Sequence, residues 1–271
     1  MRPKAILILT AVALLAVACG QAATSAAPPA ESQPAGNPMD CAPAQGEPTT
    51  IATAKLYVEY NATDEDLGVH EAFDDHGYSE LCVYDPNGVQ VLALKPQGLL
   101  KDLTMAGIFF ESREPPVGEF DFDALKRSFP EGQYTVRATN FDGTGLTGAA
   151  WFTHAVPAAP TILNPAMADE EHAGEVVVPT TGLVIEWADV TETVDGAPVT
   201  ITGYEVIITK AEHEDPHGFS QPVFDVHVPP DRNSLSVAAE FLEPGTVYEL
   251  EILAIEESGN QTITVSFFTT Q

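Results

Sequence analysis

The sequence is poor in cations: 11 lysines and arginines stand against 40 aspartates and glutamates, a formal charge of −29 over 271 residues. So acidic a surface repels nucleic acid and anionic lipid headgroups, attracts cations and favours solubility, and it specifies no fold. A well-solvated or salt-adapted exported protein explains the charge without any ligand. Motifs for common chemistry are also missing. There is no Gly-x-Ser-x-Gly elbow and no Gly-Lys-Ser/Thr loop, which argues against serine-hydrolase and P-loop phosphate chemistry. Cysteine is scarce too, at Cys19, Cys41 and Cys82.

One long apolar run, Ala5 to Ala18, follows Arg2 and Lys4. It is too short to span a bilayer and reads as a secretory signal over residues 1–19. Ala16-Val17-Ala18-Cys19 resembles the lipobox of bacterial lipoproteins. That resemblance implies acylation of Cys19, with a lipid bilayer as partner. Ala16 stands where the motif most often has leucine, so plain secretion with cleavage nearby is the alternative. Gln21 is not the aspartate that signals inner-membrane retention in Gram-negative lipoproteins, which points to the outer membrane or cell surface. Loss of Arg2 and Lys4 leaves 11 − 2 = 9 cations against 40 anions, a net charge of −31. Lipidation also leaves a single cysteine pair, Cys41 and Cys82. In an oxidising compartment a bridge between them would contribute roughly 4 kcal/mol in the chain-entropy model; two free thiols are the alternative.

Residues 20–49 are rich in Ala, Pro, Ser, Gln and Gly with almost no large apolar side chain, so they read as a disordered tether. A β-rich domain is expected over 50–157. Ala54 to Tyr60, Val69 to Phe73, Ser79 to Tyr84 and Val89 to Leu94 alternate as strands. Asp85-Pro86-Asn87-Gly88 is the strongest hairpin signal among them. Leu81 and Val83 point inward in this register, leaving Cys82 outward. The pattern weakens from Gly98 to Phe110, Phe120 to Phe129 reads as a short helix stopped at Pro130, and strands follow at Gln133 to Ala138 and Leu146 to His154. The front of this domain is similar to that of uncharacterised exported bacterial proteins ending in a fibronectin domain, which implies no known activity.

Residues 158–271 carry a clearer pattern. Leu242-Glu243-Pro244-Gly245-Thr246-Val247-Tyr248 feeds a strand in which Tyr248, Leu250, Ile252 and Ala254 share one face and Glu249 and Glu251 the other. The spacing resembles the tyrosine corner of fibronectin type III domains, and Leu183 to Trp187 and Gly203 to Val206 continue the resemblance. It implies structural roles for Trp187, Tyr204, Leu242 and Tyr248. No Arg-Gly-Asp triplet occurs, so integrin binding does not carry over.

Asn61, Thr63, Asp64 and Asp66 form an oxygen-rich cluster, with Asp74 and Asp75 near in sequence. Calcium wants six to eight such oxygens; the alternative is an Asx turn satisfied by its own backbone. His213-Glu214-Asp215-Pro216-His217 matches a metalloprotease zinc motif in letters, but Pro216 opposes the helix that motif requires. No other cofactor is indicated. The expectation is a mainly all-β chain of two sandwich-like domains, the second of fibronectin type III and the first with one or two short helices. It is expected to act without catalysis as a cell-surface binding or spacer lipoprotein toward an unknown protein or glycan. A calcium-dependent adhesin and an accessory part of an extracellular enzyme system are the alternatives. A concave site uniting perturbed carboxylates with a nucleophile would favour an enzyme, and a convex double sandwich a binding module.

Overall fold

Period-two alternation of apolar side chains builds both halves of the chain, which a computed structural model describes over residues 40–42, 45–213 and 221–271. The first half contains Gln45–Thr50 (β1), Thr53–Asn61 (β2), Asp66–Tyr84 (β3) and Gln90–Leu94 (β4). A short helix Leu99–Leu103 (α1) and strand Met105–Glu111 (β5) follow, then helix Phe122–Ser128 (α2), Gly132–Asn140 (β6) and Thr144–Phe152 (β7). Leu56, Val58, Phe73, Leu81, Val136 and Phe152 are among the buried residues of its core. Asp121 starts α2 by accepting from the Ala124 N–H at 2.7 Å, as an N-cap carboxylate should.

The stretches from Val69 and from Ser79 are one strand rather than two. β3 runs 19 residues and changes partners midway: Asp66–Asp74 pairs with β2, and Tyr78–Tyr84 with β6. Gly77 marks the change, at φ 142°, where a Cβ would meet Thr104 Oγ1 at 2.8 Å. One strand thereby holds different partners along its two ends within a single sheet. The weak pattern after Gly98 resolves into α1 and β5, with β5 pairing the first half of β3 on its other edge.

One expectation fails at the chain's entry. The tether does not extend to residue 49, because β1 begins at Gln45 and pairs in parallel with β7. Cys82 points away from the core that Leu81 and Val83 join, where a cysteine from the preceding segment reaches it, and it is buried there. The two cysteines are bonded, with Cα atoms 6.0 Å apart. Ala42 N–H donates to Glu80 Oε1 at 2.7 Å, and Lys95 Nζ to the Asp40 carbonyl at 2.6 Å, so polar contacts flank the bridge.

The second half adds Ile162–Asn164 (β8), a 3-10 turn at Glu170–Glu175, Val177–Val178 (β9), Val184–Trp187 (β10) and Ile201–Lys210 (β11). Val223–Val228 (β12), Ser234–Ser236 (β13), Val247–Glu256 (β14) and Gln261–Thr270 (β15) complete it. A three-stranded sheet, β13-β10-β8, packs on the four strands β15-β14-β11-β12. Ile185, Trp187, Tyr204, Val206, Ile208 and Ile252 fill the space between. Tyr248 forms the corner: its hydroxyl accepts from Glu243 N–H at 2.8 Å and donates to the Phe241 carbonyl at 3.3 Å. Leu242 is buried beside it, and the Tyr204 hydroxyl accepts from Val190 N–H at 2.9 Å.

The halves are joined by backbone pairing. β15 starts alongside β2 in parallel, with Gln261, Thr262 and Ile263 opposite Glu59, Tyr60 and Asn61. One sheet therefore crosses both cores, in the order β1-β7-β6-β3-β2-β15-β14-β11-β12. Asn260, 1% exposed, completes the seam: its Oδ1 accepts from Val58 N–H at 2.8 Å, and its Nδ2 donates to Thr153 Oγ1 at 2.9 Å. The buried hydroxyls of Thr262 and Thr264 donate to the Pro157 and Pro160 carbonyls. That accounts for polar side chains on the inward face of a core strand: they bond the connector between the halves.

Candidate functional site

Because the sheet crosses both cores, its outward faces combine into one concave surface of about 1030 Å³. Its floor is apolar. Ile263 and Leu253 are cross-strand neighbours, 8% and 3% exposed although they point away from the core of the second half. One wall comes from the first half and carries Tyr57, Glu59, His70, Phe109, Glu111 and Trp151; the other carries Glu205, His227 and Glu251. Phe109 and Trp151 are 57% and 63% exposed, large rings left facing the opening.

Strand register places the polar groups. Ile263, Leu253, Glu205 and His227 lie in one row across β15, β14, β11 and β12. His227 Nε2 is 3.3 Å from Glu205 Oε1, and Asp225 stands two residues away on the same face. In the first half His70 is buried on β3, with Nε2 3.0 Å from Glu114 Oε1 and Nδ1 3.8 Å from Glu59 Oε2. The Tyr57 and Phe109 rings enclose it at 5.3 and 5.6 Å. Gly68 makes room for this arrangement, since a Cβ there would come within 2.7 Å of Glu114 Cγ. Glu59 also accepts from Gln261 Nε2 across the seam.

Burial raises the acids of this face, and they raise one another. Glu205 is pushed up to about 7, first by desolvation and then, despite His227, by Asp225 and Glu59. Glu251 also rises to about 7 through burial, Glu249, Glu59 and Glu205. Glu59 is raised by burial against the opposing pull of His70, and burial pushes the Tyr57 phenol up to about 12. On the opposite side of β3, Glu71 is 4% exposed with an unpartnered Oε2, and burial takes it to about 7.

These shifts set a pH dependence. A carboxyl raised in the fold binds more protons there than in the unfolded chain at pH between its two values, so stability falls as pH rises through that window. Melting temperature should therefore drop between about pH 4.5 and pH 7 and level off above it. Glu205→Gln with Glu251→Gln should flatten the drop in a thermal scan series. A slope unchanged in the double variant would remove the groove acids as its source.

The residues singled out in the sequence lie elsewhere. Asn61, Thr63 and Asp64 form an Asx turn: Asn61 Oδ1 accepts from the N–H groups of Thr63 and Asp64 at 3.0 and 3.1 Å, and Asn61 Nδ2 donates to Asp64 Oδ2. Thr63 Oγ1 accepts from Val265 N–H, so the turn serves the seam. Among the described residues, neither Asp64 nor Asp66 belongs to a cluster of three carboxylates or histidines in ligand-like spacing. Asp75 is engaged separately, accepting from Ala52 N–H. Two such groups do occur, Glu59-His70-Glu114 and Glu205-Asp225-His227, and both lie on or beside the concave face. Cys19 and most of the His213 to His217 segment lie outside the described residues.

No family model matches the chain, and no curated protein is similar to it. Among solved structures it is similar to the FN1–FN3 domains of chicken CNTN1, at 13% identity over 83% of this chain and 69% of that one, with a TM-score of 0.32. It is also similar to the fibronectin(III)-like modules of Clostridium thermocellum CbhA, at 9% identity over 82% of this chain and 94% of that one, with a TM-score of 0.30. Both likenesses are loose. The fibronectin-like character of the second half rests on its own three-on-four sheet order and the Tyr248 corner.

Proposed function

We propose that this chain is an exported, noncatalytic binding protein, held at a membrane by an acyl group on Cys19, which presents the concave face of its continuous sheet to a ligand. In this reading 45–157 and 158–271 act as two domains sharing one sheet, and the segment from Gly20 serves as spacer. The observation that carries the reading is the groove itself: an apolar floor, exposed rings and carboxylates drawn from both halves. The surface is concave where a convex double sandwich was expected of a binding module. Perturbed carboxylates do meet there, but His70 and His227 pair with Glu114, Glu59 and Glu205 rather than with a hydroxyl or thiol. Ser258, at the rim, donates its hydroxyl to Glu256 within a tight turn. These pairings favour binding over nucleophilic catalysis. Among the described residues no helix is long and apolar enough to cross a membrane.

Two measurements test the proposal. The soluble mature chain and a Trp151→Ala/Phe109→Ala variant, applied to arrays of peptides and glycans, should differ, with bound signal lost in the variant; signal that survives places binding off this face. Cys19→Ser should move the full-length protein from the detergent phase to the soluble fraction, and an unchanged distribution and mass would remove the anchor.

A further inference from the structure

The lining of the groove is unbalanced in charge. Glu59, Glu111, Glu205, Glu251 and Glu257 line it, and Lys55 is the one lysine or arginine among the lining residues described. Glu205 lies within ligand distance of Asp225, and Glu251 is close enough to Glu249 to share a hydrogen bond. Carboxylates brought together in this way hold protons more tightly, and an incoming cation relieves the same repulsion. The rings matter equally. Trp151 and Phe109 expose apolar faces next to these acids, the surroundings in which an ammonium or guanidinium gains both ion pairing and ring contact.

Size narrows the occupant. A volume of about 1030 Å³ exceeds what an ion needs and lies at the upper end of small-ligand sites. A neutral sugar would stack on the rings but bring no positive charge to the carboxylates. A second copy, at a formal charge of −29, is repelled.

Resting on the binding reading above, we propose that the groove docks an extended polypeptide segment carrying lysine or arginine side chains. Its backbone lies over Leu253 and Ile263, its cations meet Glu205, Glu251 and Glu59, and its stems pack on Trp151 and Phe109. Alternate side chains of such a segment would reach the floor and its other chains the walls, as in strand-like peptide recognition.

The test uses the mature chain and a fluorescein-labelled octapeptide of alternating lysine and alanine, followed by anisotropy at about 0.02 M and about 0.2 M salt. Binding should weaken at the higher salt and be absent for the same peptide with glutamine in place of lysine. Glu205→Gln with Glu251→Gln should weaken it roughly tenfold, and so should Trp151→Ala, whose exposed ring can be removed without opening the core. The control Glu186→Gln with Glu240→Gln removes two exposed acids that do not line the groove and should stay within about twofold. If the control weakens binding as much as the groove pair, the peptide is held by overall charge and the proposal falls. If the lysine peptide does not bind but a neutral oligosaccharide does, and is lost on Trp151→Ala, the ligand class is wrong while the binding face stands. Calcium or zinc ions bound at Glu205 in preference to the peptide would overturn the ligand class in the same way. If Trp151→Ala changes binding of none of the probes, both this proposal and the binding face fail.

Discussion

Trp187→Ala should destabilise the protein by roughly 3 to 5 kcal/mol in chemical denaturation, against a typical domain stability of about 5 to 15 kcal/mol. The ring is fully buried between the two sheets of the second half, 5.4 Å from the Tyr204 ring. Its Nε1 has no hydrogen-bond partner, so the loss is one of packing alone. Trp187→Phe should therefore cost much less, since a smaller ring fills most of the space and no bond is broken. Tyr248→Phe makes the contrast. It keeps the ring but leaves Glu243 N–H without its acceptor, at a cost of about 1 kcal/mol or more. Should Trp187→Ala prove silent while Tyr248→Phe unfolds the chain, the register assigned to β10 is wrong.

The second large effect belongs to the bridge between Cys41 and Cys82. Its cysteines lie 41 residues apart, and loss of a cross-link over a loop of that length costs about 4 kcal/mol in the chain-entropy model. Cys41→Ser should lower the denaturation midpoint accordingly, and wild-type protein under reductant should match it. The same change frees the segment that covers Cys82. Equal stability of oxidised protein and variant would show that the neighbouring contacts of Ala42 and Lys95, rather than the bridge, hold that segment.

Features governed by neighbours in sequence were the ones legible without a structure. The Asp85 to Gly88 hairpin is closed by Asp85 Oδ1 accepting from Asn87 and Val89 N–H, with Gly88 at φ 81°. The Tyr248 corner and the α2 cap are equally local. The groove was not legible, because the acids and rings of its walls, Glu59, Glu205, Glu251, Phe109 and Trp151, occupy the outward phase of ordinary strand alternations. Glu59, Glu205 and Glu251 look like solvent-facing residues until Gln261 pairs with Glu59 across 202 positions. Leu253 and Ile263 were the available hint, since each is a large apolar residue on the outward phase of its strand. Nor could period two show that β3 continues through Gly77, because a bend that changes partners leaves the alternation on each side intact. Cys82 followed its strand phase away from the core, and there it meets Cys41.

The shared sheet also decides how the molecule can be dissected. The seam is a place where each half lends the other the hydrogen-bonding partners it lacks. Cutting the chain between Pro157 and Pro160 would leave one edge of Glu59 to Asn61 open on one fragment and one edge of Gln261 to Ile263 open on the other, and would break the bond from Val58 N–H to Asn260. Each fragment would then carry a raw edge, with Ile263 next to it on the second, and raw edges recruit strands from other copies. Fragments prepared along the apparent boundary would tend to self-associate through that edge, and mixing them offers each its native complement.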